Sequence, residues 1–209
     1  MGVIRPGGSA AGEQVVLCRD DGTFAGTASK AVVHHDDTPL HLAFSCYVFA
    51  PDGALLVTRR ARDKATFPGL RTNSCCGHPS PRESMSTAVR RRLGQELGVV
   101  VPGVSLVLPR FRYRATATDG TVEHELCPVY RAVVTDLDVL IDTAEVDEAW
   151  WMPWKEVVDG VLVPESPGRP ADPWSPWAAD QIAQLARLGP DPLAWGTADE
   201  TLLPAAALP

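Results

Sequence analysis

Two apolar, β-rich runs flank a turn signal in the first third of the chain. The runs are LAFSCYVFA, residues 42–50, and ALLVTRR, residues 54–60, and Pro51-Asp52-Gly53 lies between them. Because such runs joined by a short glycine-containing turn are typical of antiparallel strands, the pattern predicts a β-hairpin. A second hairpin is predicted from FRYRATAT, residues 111–118, and TVEHELCPVYRAVV, residues 121–134, on either side of Asp119-Gly120.

Apolar residues recur at helical spacing after the NSCCGHP segment, residues 73–79. They are Ala88, Val89, Leu93 and Leu97. This spacing predicts an amphipathic helix that ends at Gly98, because glycine is favoured where a helix terminates. Two N-terminal caps are compatible with the sequence: Ser80, with Pro81 and Glu83 after it, or Ser84.

Two shorter helical patterns occur later, in WKEVVDG, residues 154–160, and in residues 177–188. Strands and helices are mixed without strict alternation, which favours an α+β fold of mixed β-sheets packed with helices over a doubly wound parallel sheet. The length predicts a single compact domain, which we assign to residues 13–188. Residues 1–12 are rich in Gly and Ala, residues 189–209 are rich in Pro and Ala, and both ends are expected to be disordered.

Composition and net charge limit the classes of partner and the cellular compartment that we expect for this protein. With 45% apolar and 22% charged residues, the chain has the composition of a globular protein. The net charge of -7 argues against nucleic acid or an anionic membrane as a partner, but it leaves an anionic small molecule open. The five cysteines form no regular framework and no long apolar segment is present. We therefore expect a protein of the reducing cytoplasm.

The predicted helix and the segment just before it contain glycine, glutamate and arginine at fixed spacing. Gly77 is followed after five residues by Glu83 and, after seven more, by RRLGQELGV, residues 91–99. This spacing resembles the Nudix box of diphosphate-handling enzymes. Arg92 and Gln95 replace two carboxylates of that box, so only Glu96 remains of the cluster that would hold magnesium and activate water. Arg92 and Glu96 share one helical face, where they either meet one diphosphate or form a simple ion pair.

The segment TFPGLRTNSCCGHP, residues 66–79, is more specific. It resembles the signature of the type 1 isopentenyl-diphosphate isomerase family, and the likeness extends over about residues 27–180. The resemblance implies a Nudix-like fold, a prenyl diphosphate as the small-molecule partner, and the interconversion of isopentenyl and dimethylallyl diphosphate in isoprenoid biosynthesis. It also fits a monomer or weak homo-oligomer. Taken alone, Cys76 would be interpreted as a small buried residue and His78 as a turn residue.

Two further segments supply side chains of the kind that bind metals. KAVVHHDDTPLHLAFS, residues 30–45, and TVEHELCPVY, residues 121–130, are both similar to segments of the same family. If residues 121–130 form a strand, Glu123 and Glu125 lie on one face and His124 on the other. On an exposed strand, this pattern would indicate only a solvated surface. The resemblance implies a metal site of three histidines and two glutamates: His34, His41, His78, Glu123 and Glu125. Mn²⁺, Zn²⁺ or Mg²⁺ suits these donors.

The resemblance also implies roles for the remaining site residues. An alkene is a weak base, so moving its double bond requires a strong acid on one face, a base on the other, and exclusion of water. Cys76 and Glu125 are the expected proton carriers, with Tyr113 near the glutamate, and Trp177 is expected to face the cationic carbon. A second ion, Mg²⁺ bridging the diphosphate, is expected on Glu96 and the Cys76 carbonyl. Four cations are expected to bind the diphosphate: Lys30, Arg60, Lys64 and Arg92.

Two other functional classes remain open from the residues. A Nudix-type hydrolase would cleave a diphosphate, but it needs more helix carboxylates than this chain has. A non-enzymatic metal-binding module would have no use for Cys76 or for the four cations. The chain also departs from the family pattern in three places: Arg71 stands where an aromatic residue is common, Cys75 lies beside Cys76, and the Pro/Ala-rich tail has no counterpart.

Overall fold

The computed structural model describes residues 12–163 and 172–208, and these form twelve strands and four α-helices. The strands are β1 Gln14–Cys18, β2 Phe24–Ser29, β3 His41–Leu42, β4 Phe44–Phe49, β5 Ala54–Arg60, β6 Arg71–Thr72, β7 Cys75–Gly77, β8 Ser105–Leu108, β9 Arg112–Thr116, β10 Val122–Leu126, β11 Val129–Val133 and β12 Val146–Pro153. The helices are α1 Lys30–Val33, α2 Met85–Leu97, α3 Trp154–Leu162 and α4 Pro176–Leu185. The expected α+β class is confirmed.

The strands form two mixed sheets. The first has the order β2-β1-β3-β10-β9, and the second has β12-β5-β4-β11-β8, with β6 added beside β5 and β7 beside β4. One parallel pair lies in each sheet, β3 with β10 and β4 with β11. Because β3 and β4 follow one another in the chain, as do β10 and β11, both sheets are joined at the same place. This junction positions the site described below.

Both predicted hairpins are present. β4 pairs antiparallel with β5 across the turn at residues 51–53, and β9 pairs antiparallel with β10 across residues 117–121. Gly53 and Gly120 adopt positive φ values of 83° and 90°, which only glycine adopts without strain. In each turn an aspartate accepts a backbone hydrogen bond two residues on, so the turn residues themselves fix the two hairpins.

Helix α2 covers the segment with the helical spacing, and all four of the predicted apolar residues are buried. Of the two possible caps, Ser84 is the one used, since the backbone N–H of Thr87 donates to its Oγ at 3.3 Å. Glu83 instead closes the preceding turn by accepting from the Ser80 N–H. Gly98 ends the helix in the left-handed region, with φ of 66°.

The two later helices also lie where they were predicted. α3 begins at Trp154, and α4 begins at Pro176 and continues into a 3₁₀ turn at Ala186–Leu188. Proline at the first helical position loses no hydrogen bond, which explains the start of α4. Among the described helices, none has the length and apolar character needed to cross a membrane.

Two hydrophobic clusters lie on opposite sides of the second sheet. One packs α2 against β4, β5 and β11, and the other packs α3 and α4 against the opposite face of the same strands. Strand β7 is extended, so its adjacent thiols face different clusters: Cys75 lies in the α2 cluster, whereas Cys76 packs against the α3 and α4 cluster. The two cysteines therefore have separate environments.

The last residues differ from the expectation of a disordered tail. Residues 189–208 lie across the domain in three 3₁₀ turns, with Trp195 and Leu203 only 4% exposed. Arg131 of β11 holds this segment, since its Nη1 donates to the carbonyl oxygens of Pro192, Leu193 and Trp195 at 2.7, 3.0 and 3.1 Å. Residues 1–11 of the expected disordered N-terminus lie outside the described residues.

Replacing Arg131 is expected to destabilise the protein, because one guanidinium serves three carbonyls. Arg131→Met keeps the apolar stem and should lower the free energy of unfolding by about 2 kcal/mol, as expected for hydrogen bonds from a charged donor. Urea unfolding measures this change. Arg187→Ala, at an exposed arginine, is the control and should change stability by less than about 0.5 kcal/mol. Equal effects of both variants would contradict the anchoring role.

Candidate active site

A cavity of about 400 Å³ lies where the two sheets join. Every predicted site residue except His41 lines it, although those residues are spread along the sequence from Lys30 to Trp177. His41 is fully buried and reaches the same place from β3, with its Nε2 3.7 Å from Glu125 Oε1. The structure thus brings all the predicted site residues together.

Three histidines and one glutamate converge at one end of the cavity. The ligand-type atoms of His34, His41, His78 and Glu125 all lie within 4.8 Å of one another. Strand pairing accounts for part of this convergence, because His41 and Glu125 are direct partners in the parallel β3–β10 pair. The Nε2 atoms of His41 and His78 are 3.2 Å apart, and His78 Nε2 is 3.2 Å from Glu125 Oε1.

Glu123 lies at the edge of this group. Its Oε2 is 3.2 Å from His34 Nε2, and its Oε1 accepts a hydrogen bond from Thr66 Oγ1 at 2.6 Å. Glu123 and Glu125 are both buried, whereas His124 points to the other side of β10, as the strand alternation predicted. Thr66 was not predicted to act in the site, although it lies within the family-like segment.

The donor atoms of this cluster fit a divalent ion. His34 Nε2 and Glu123 Oε2 are close but not hydrogen-bonded to each other, and both are buried without a hydrogen-bond partner, as is His78 Nδ1. Such atoms are costly unless another group satisfies them. His41 Nδ1 lies 2.9 Å from the Pro39 carbonyl, so in the neutral ring Nδ1 donates there and Nε2 presents its lone pair to the cluster. Imidazole nitrogens and carboxylate oxygens arranged in this way fit a divalent metal.

The protonation states of His78 and Glu125 agree with this fit. Burial lowers the pKa of His78 to about 4, so its ring is neutral near pH 7. Burial acts to raise the pKa of Glu125, but the adjacent imidazoles of His41 and His78 hold it well below its ordinary value. Neutral imidazole and ionised carboxylate are the forms that bind metal ions.

Cys76 lies beside the cluster on β7. Its S–H donates to Asn73 Oδ1 at 3.1 Å, and its sulfur is 3.3 Å from Ser45 Oγ. Burial raises the pKa of Cys76 to about 11, so the side chain is a protonated thiol. Ser45 and Asn73 occur in the family-like segments, but sequence reasoning gave them no role because their contacts depend on the register between β4 and β7.

An aromatic wall completes the cavity. Trp177 of α4 packs against Tyr113 and Phe67, with ring centroids 5.6 and 5.4 Å away. Tyr113 is the strand partner of Glu125, as expected from its proposed place near the glutamate. Burial raises the pKa of Tyr113 well above its ordinary value, so it remains a neutral phenol. The guanidinium of Arg60 lies 5.2 Å from the centroid of Trp177.

The four predicted cations surround the rest of the cavity, and each is paired with an acceptor of the protein. Lys30 is 2.7 Å from Glu13, and Arg60 donates to the carbonyls of Thr66 and Phe67. Lys64 pairs with Glu145. These pairs hold the cations at the wall of the cavity.

Arg92 and Glu96 form a buried ion pair on α2, and Glu145 lies 3.3 Å from Arg92. Burial raises the pKa of Glu96. Glu145, which precedes β12, was missed because it belongs to no recognisable motif. Within residues 12–163 and 172–208, Glu96 does not belong to a group of three or more convergent metal-ligating side chains, so an ion at Glu96 remains a prediction.

Comparisons with known proteins agree with this geometry. Residues 39–177 match the NUDIX domain family. The chain is 50% identical to an isopentenyl-diphosphate Delta-isomerase of Saccharopolyspora erythraea, over 94% of this chain and 97% of the relative. It is 46% identical to a protein of the same name from Rhizobium rhizogenes, over 93% and 90% of the two chains.

Solved structures share the fold at low sequence identity. One from Deinococcus radiodurans has a TM-score of 0.62 at 15% identity, over 82% of this chain and 98% of the other. The MutT protein from Methanosarcina mazei Go1 has a TM-score of 0.57 at 16% identity, over 72% and 96%.

The two joined sheets, helix α2 and the matched region define a NUDIX-domain protein with a cluster of side chains that could hold a metal ion beside a half-buried thiol. Within that class, the chain belongs to the isopentenyl-diphosphate Delta-isomerase family.

Proposed function

We propose that this chain is an enzyme that isomerises isopentenyl diphosphate to dimethylallyl diphosphate by adding one proton and removing another. The observation that carries the proposal is that one cavity holds a thiol, a buried carboxylate and an indole, with cations at its wall. Relatives that align with nearly the whole chain bear the name of this reaction. The proposal therefore rests both on sequence similarity to these relatives and on the chemistry of the cavity.

The reaction needs two proton carriers. A proton must reach the terminal methylene carbon, which leaves positive charge at the neighbouring tertiary carbon, and another proton must then leave the carbon next to it. Cys76 and Glu125 are the carriers we propose, because both border the cavity and contacts with neighbouring side chains fix their positions. Tyr113 is proposed to act beside Glu125.

The aromatic wall suits the positive charge that develops on the substrate. An indole face attracts a desolvated cation by about 2 kcal/mol. Trp177 is only 3% exposed, and its Nε1 donates to Asn73 Oδ1 at 3.3 Å, so its ring is held at the cavity. Its burial also helps to keep water away from the cationic carbon, which water would otherwise attack.

Metal ions are proposed at two places. His34, His41, His78, Glu123 and Glu125 would hold Mn²⁺, Zn²⁺ or Mg²⁺. A divalent ion at that site supplies positive charge that makes a proton on Glu125 more acidic. Glu96 and the Cys76 carbonyl would hold Mg²⁺ against the diphosphate, and Lys30, Arg60, Lys64 and Arg92 would bind the phosphate oxygens.

The test is proton NMR of isopentenyl diphosphate incubated with the enzyme and Mg²⁺ or Mn²⁺ in D₂O. We expect signals of dimethylallyl diphosphate and deuterium incorporation, with the diphosphate intact. Release of phosphate or of the prenyl monophosphate, without isomer, would instead identify a Nudix-type hydrolase. That outcome would contradict the proposal, and the basic Arg92 and neutral Gln95 on α2 argue against it.

Chelation is expected to abolish activity, and a substitution should separate the two metal sites. Glu96→Gln is expected to weaken magnesium binding that depends on diphosphate, because it removes the negative charge of the only ligand side chain proposed for that site. The cluster around His78 should stay filled, since none of its residues changes. Metal analysis by mass spectrometry, with and without diphosphate, measures both sites. Loss of both ions together would contradict the two-site proposal.

The cysteines support the proposed cytoplasmic location. All five are free thiols, and four of them are buried. Free thiols are characteristic of proteins in a reducing compartment. Fractionation of the source cells with an antibody against the protein would test this location.

A further inference from the structure

A buried row of polar side chains lies behind Cys76. It joins Tyr47 and Ser45 of β4, Gln181 of α4 and Cys127, each of which is at most 1% exposed. A polar row is unusual inside an apolar cluster, because each unpaired polar atom there would be costly. None of these residues has a role in the function proposed above.

The direction of each hydrogen bond in the row follows from its donors. The Tyr47 hydroxyl donates to Gln181 Oε1 at 2.9 Å, which fixes the orientation of the Gln181 amide. Gln181 Nε2 then donates to Ser45 Oγ at 3.0 Å. A serine hydroxyl has one hydrogen and two acceptor positions, so Ser45 keeps its own hydrogen for another partner.

Two sulfurs compete for that hydrogen. Ser45 Oγ lies 3.3 Å from Cys76 Sγ and 3.4 Å from Cys127 Sγ. The thiol hydrogen of Cys76 is already used, because it points to Asn73 Oδ1 at 3.1 Å. Asn73 has no freedom to turn, since its Nδ2 donates to the carbonyls of Cys46 and Cys75 at 3.0 and 2.8 Å.

One arrangement gives every group of the row a partner and leaves the Ser45 hydrogen for Cys76. Ser45 accepts from Gln181 and from the Cys127 thiol, and donates its hydrogen to the sulfur of Cys76. The register of the strands supports this contact, because Ser45 and Cys76 are direct partners in the β4–β7 pair. Helix α4 supplies Gln181 one turn after Trp177, so a single helical face serves both the row and the cavity.

We propose that Ser45, oriented by Gln181 and Tyr47, is a positioning residue that donates a hydrogen bond to the Cys76 sulfur whenever that sulfur has given up its proton. This inference rests on the proposed function. When the S–H bond breaks, its electron pair remains on sulfur and the proton forms a C–H bond with the substrate. A donor already aimed at the sulfur stabilises the negative charge without reorganising.

Ser45→Ala tests the inference. It should lower kcat by roughly 10- to 100-fold, as expected for loss of a hydrogen bond to a charged group. The KM for isopentenyl diphosphate should stay within about twofold, because Ser45 lies behind the thiol and not at the cavity wall. Gln181→Met should lower kcat by roughly 2- to 10-fold, since it removes a neutral hydrogen bond.

The double variant gives a sharper test, because Gln181 is inferred to act through Ser45. Adding Gln181→Met to Ser45→Ala should lower kcat no further. The matched control is Ser74→Ala, at a fully buried serine whose Oγ bonds only the backbone of Val48 and Leu56. It should lower the melting temperature while leaving kcat within about twofold.

Three results would overturn the inference. They are an unchanged kcat in Ser45→Ala, a loss of kcat in Ser74→Ala as large as in Ser45→Ala, or fully additive losses in the double variant. If Ser45→Ala does not fold, Gln181→Met serves as the test of the inference. An unchanged kcat in Gln181→Met then refutes it. A wild-type protein without isomerase activity would refute the proposed function and this inference with it.

Discussion

Cys76→Ala is expected to lower turnover by at least about 1000-fold, in the range known for loss of an acid or base that transfers a proton in the transition state. The fold should persist, because the removed thiol is small and the side chain is only half-buried. Steady-state rates with isopentenyl diphosphate measure the loss, and thermal unfolding followed by circular dichroism measures the stability.

The neighbouring thiol provides the control. Cys75→Ala removes the same atom from the other face of β7, where it is 2% exposed and packed in the α2 cluster. It should cost about 1 kcal/mol of stability and keep most of the turnover. Equal loss of activity in both variants would show that Cys76 has no special role.

Glu125→Gln is expected to stop proton transfer while leaving metal and diphosphate bound. The variant keeps the size of the side chain and one carbonyl oxygen toward His41 and His78, but it loses the carboxylate that accepts a proton. It should neither isomerise the substrate nor support deuterium uptake at the carbon that Glu125 serves. Metal analysis and NMR in D₂O measure the two effects separately.

Glu123→Gln is the comparison, because Glu123 lies at the edge of the cluster and bonds Thr66 as well as facing His34. It should lose metal affinity first and recover activity when the metal concentration is raised. Recovery of Glu125→Gln to near the wild-type rate with excess metal would show that Glu125 acts only as a ligand. The second proton carrier would then have to be Tyr113 or a metal-bound water.

Short-range signals account for what sequence predicted well. The hairpin turns and helix α2 depend on residues within a few positions of each other, such as Ser84 and Thr87 at the cap. The site residues were identified through family-like segments, and the structure places all of them at the cavity where the two sheets join. Their roles remain predictions for the experiments above.

Long-range contacts account for what sequence missed. The last segment has no periodicity, and it is held by Arg131, which lies more than sixty positions earlier in the chain. Glu145 belongs to no motif and reaches Lys64 and Arg92 only through the fold. Ser45 was quoted in a motif, but its position opposite Cys76 depends on strand register, which local sequence does not determine.

The parallel pairing of β3 with β10 has a kinetic consequence. It makes neighbours of His41 and Glu125, which are far apart in the chain, and parallel contacts of this kind form late because a long loop must close first. An unfolded chain therefore lacks the cluster, and its binding energy becomes available only after this step. Added metal should accordingly lengthen the lifetime of the native protein by slowing unfolding, with little effect on the rate of refolding.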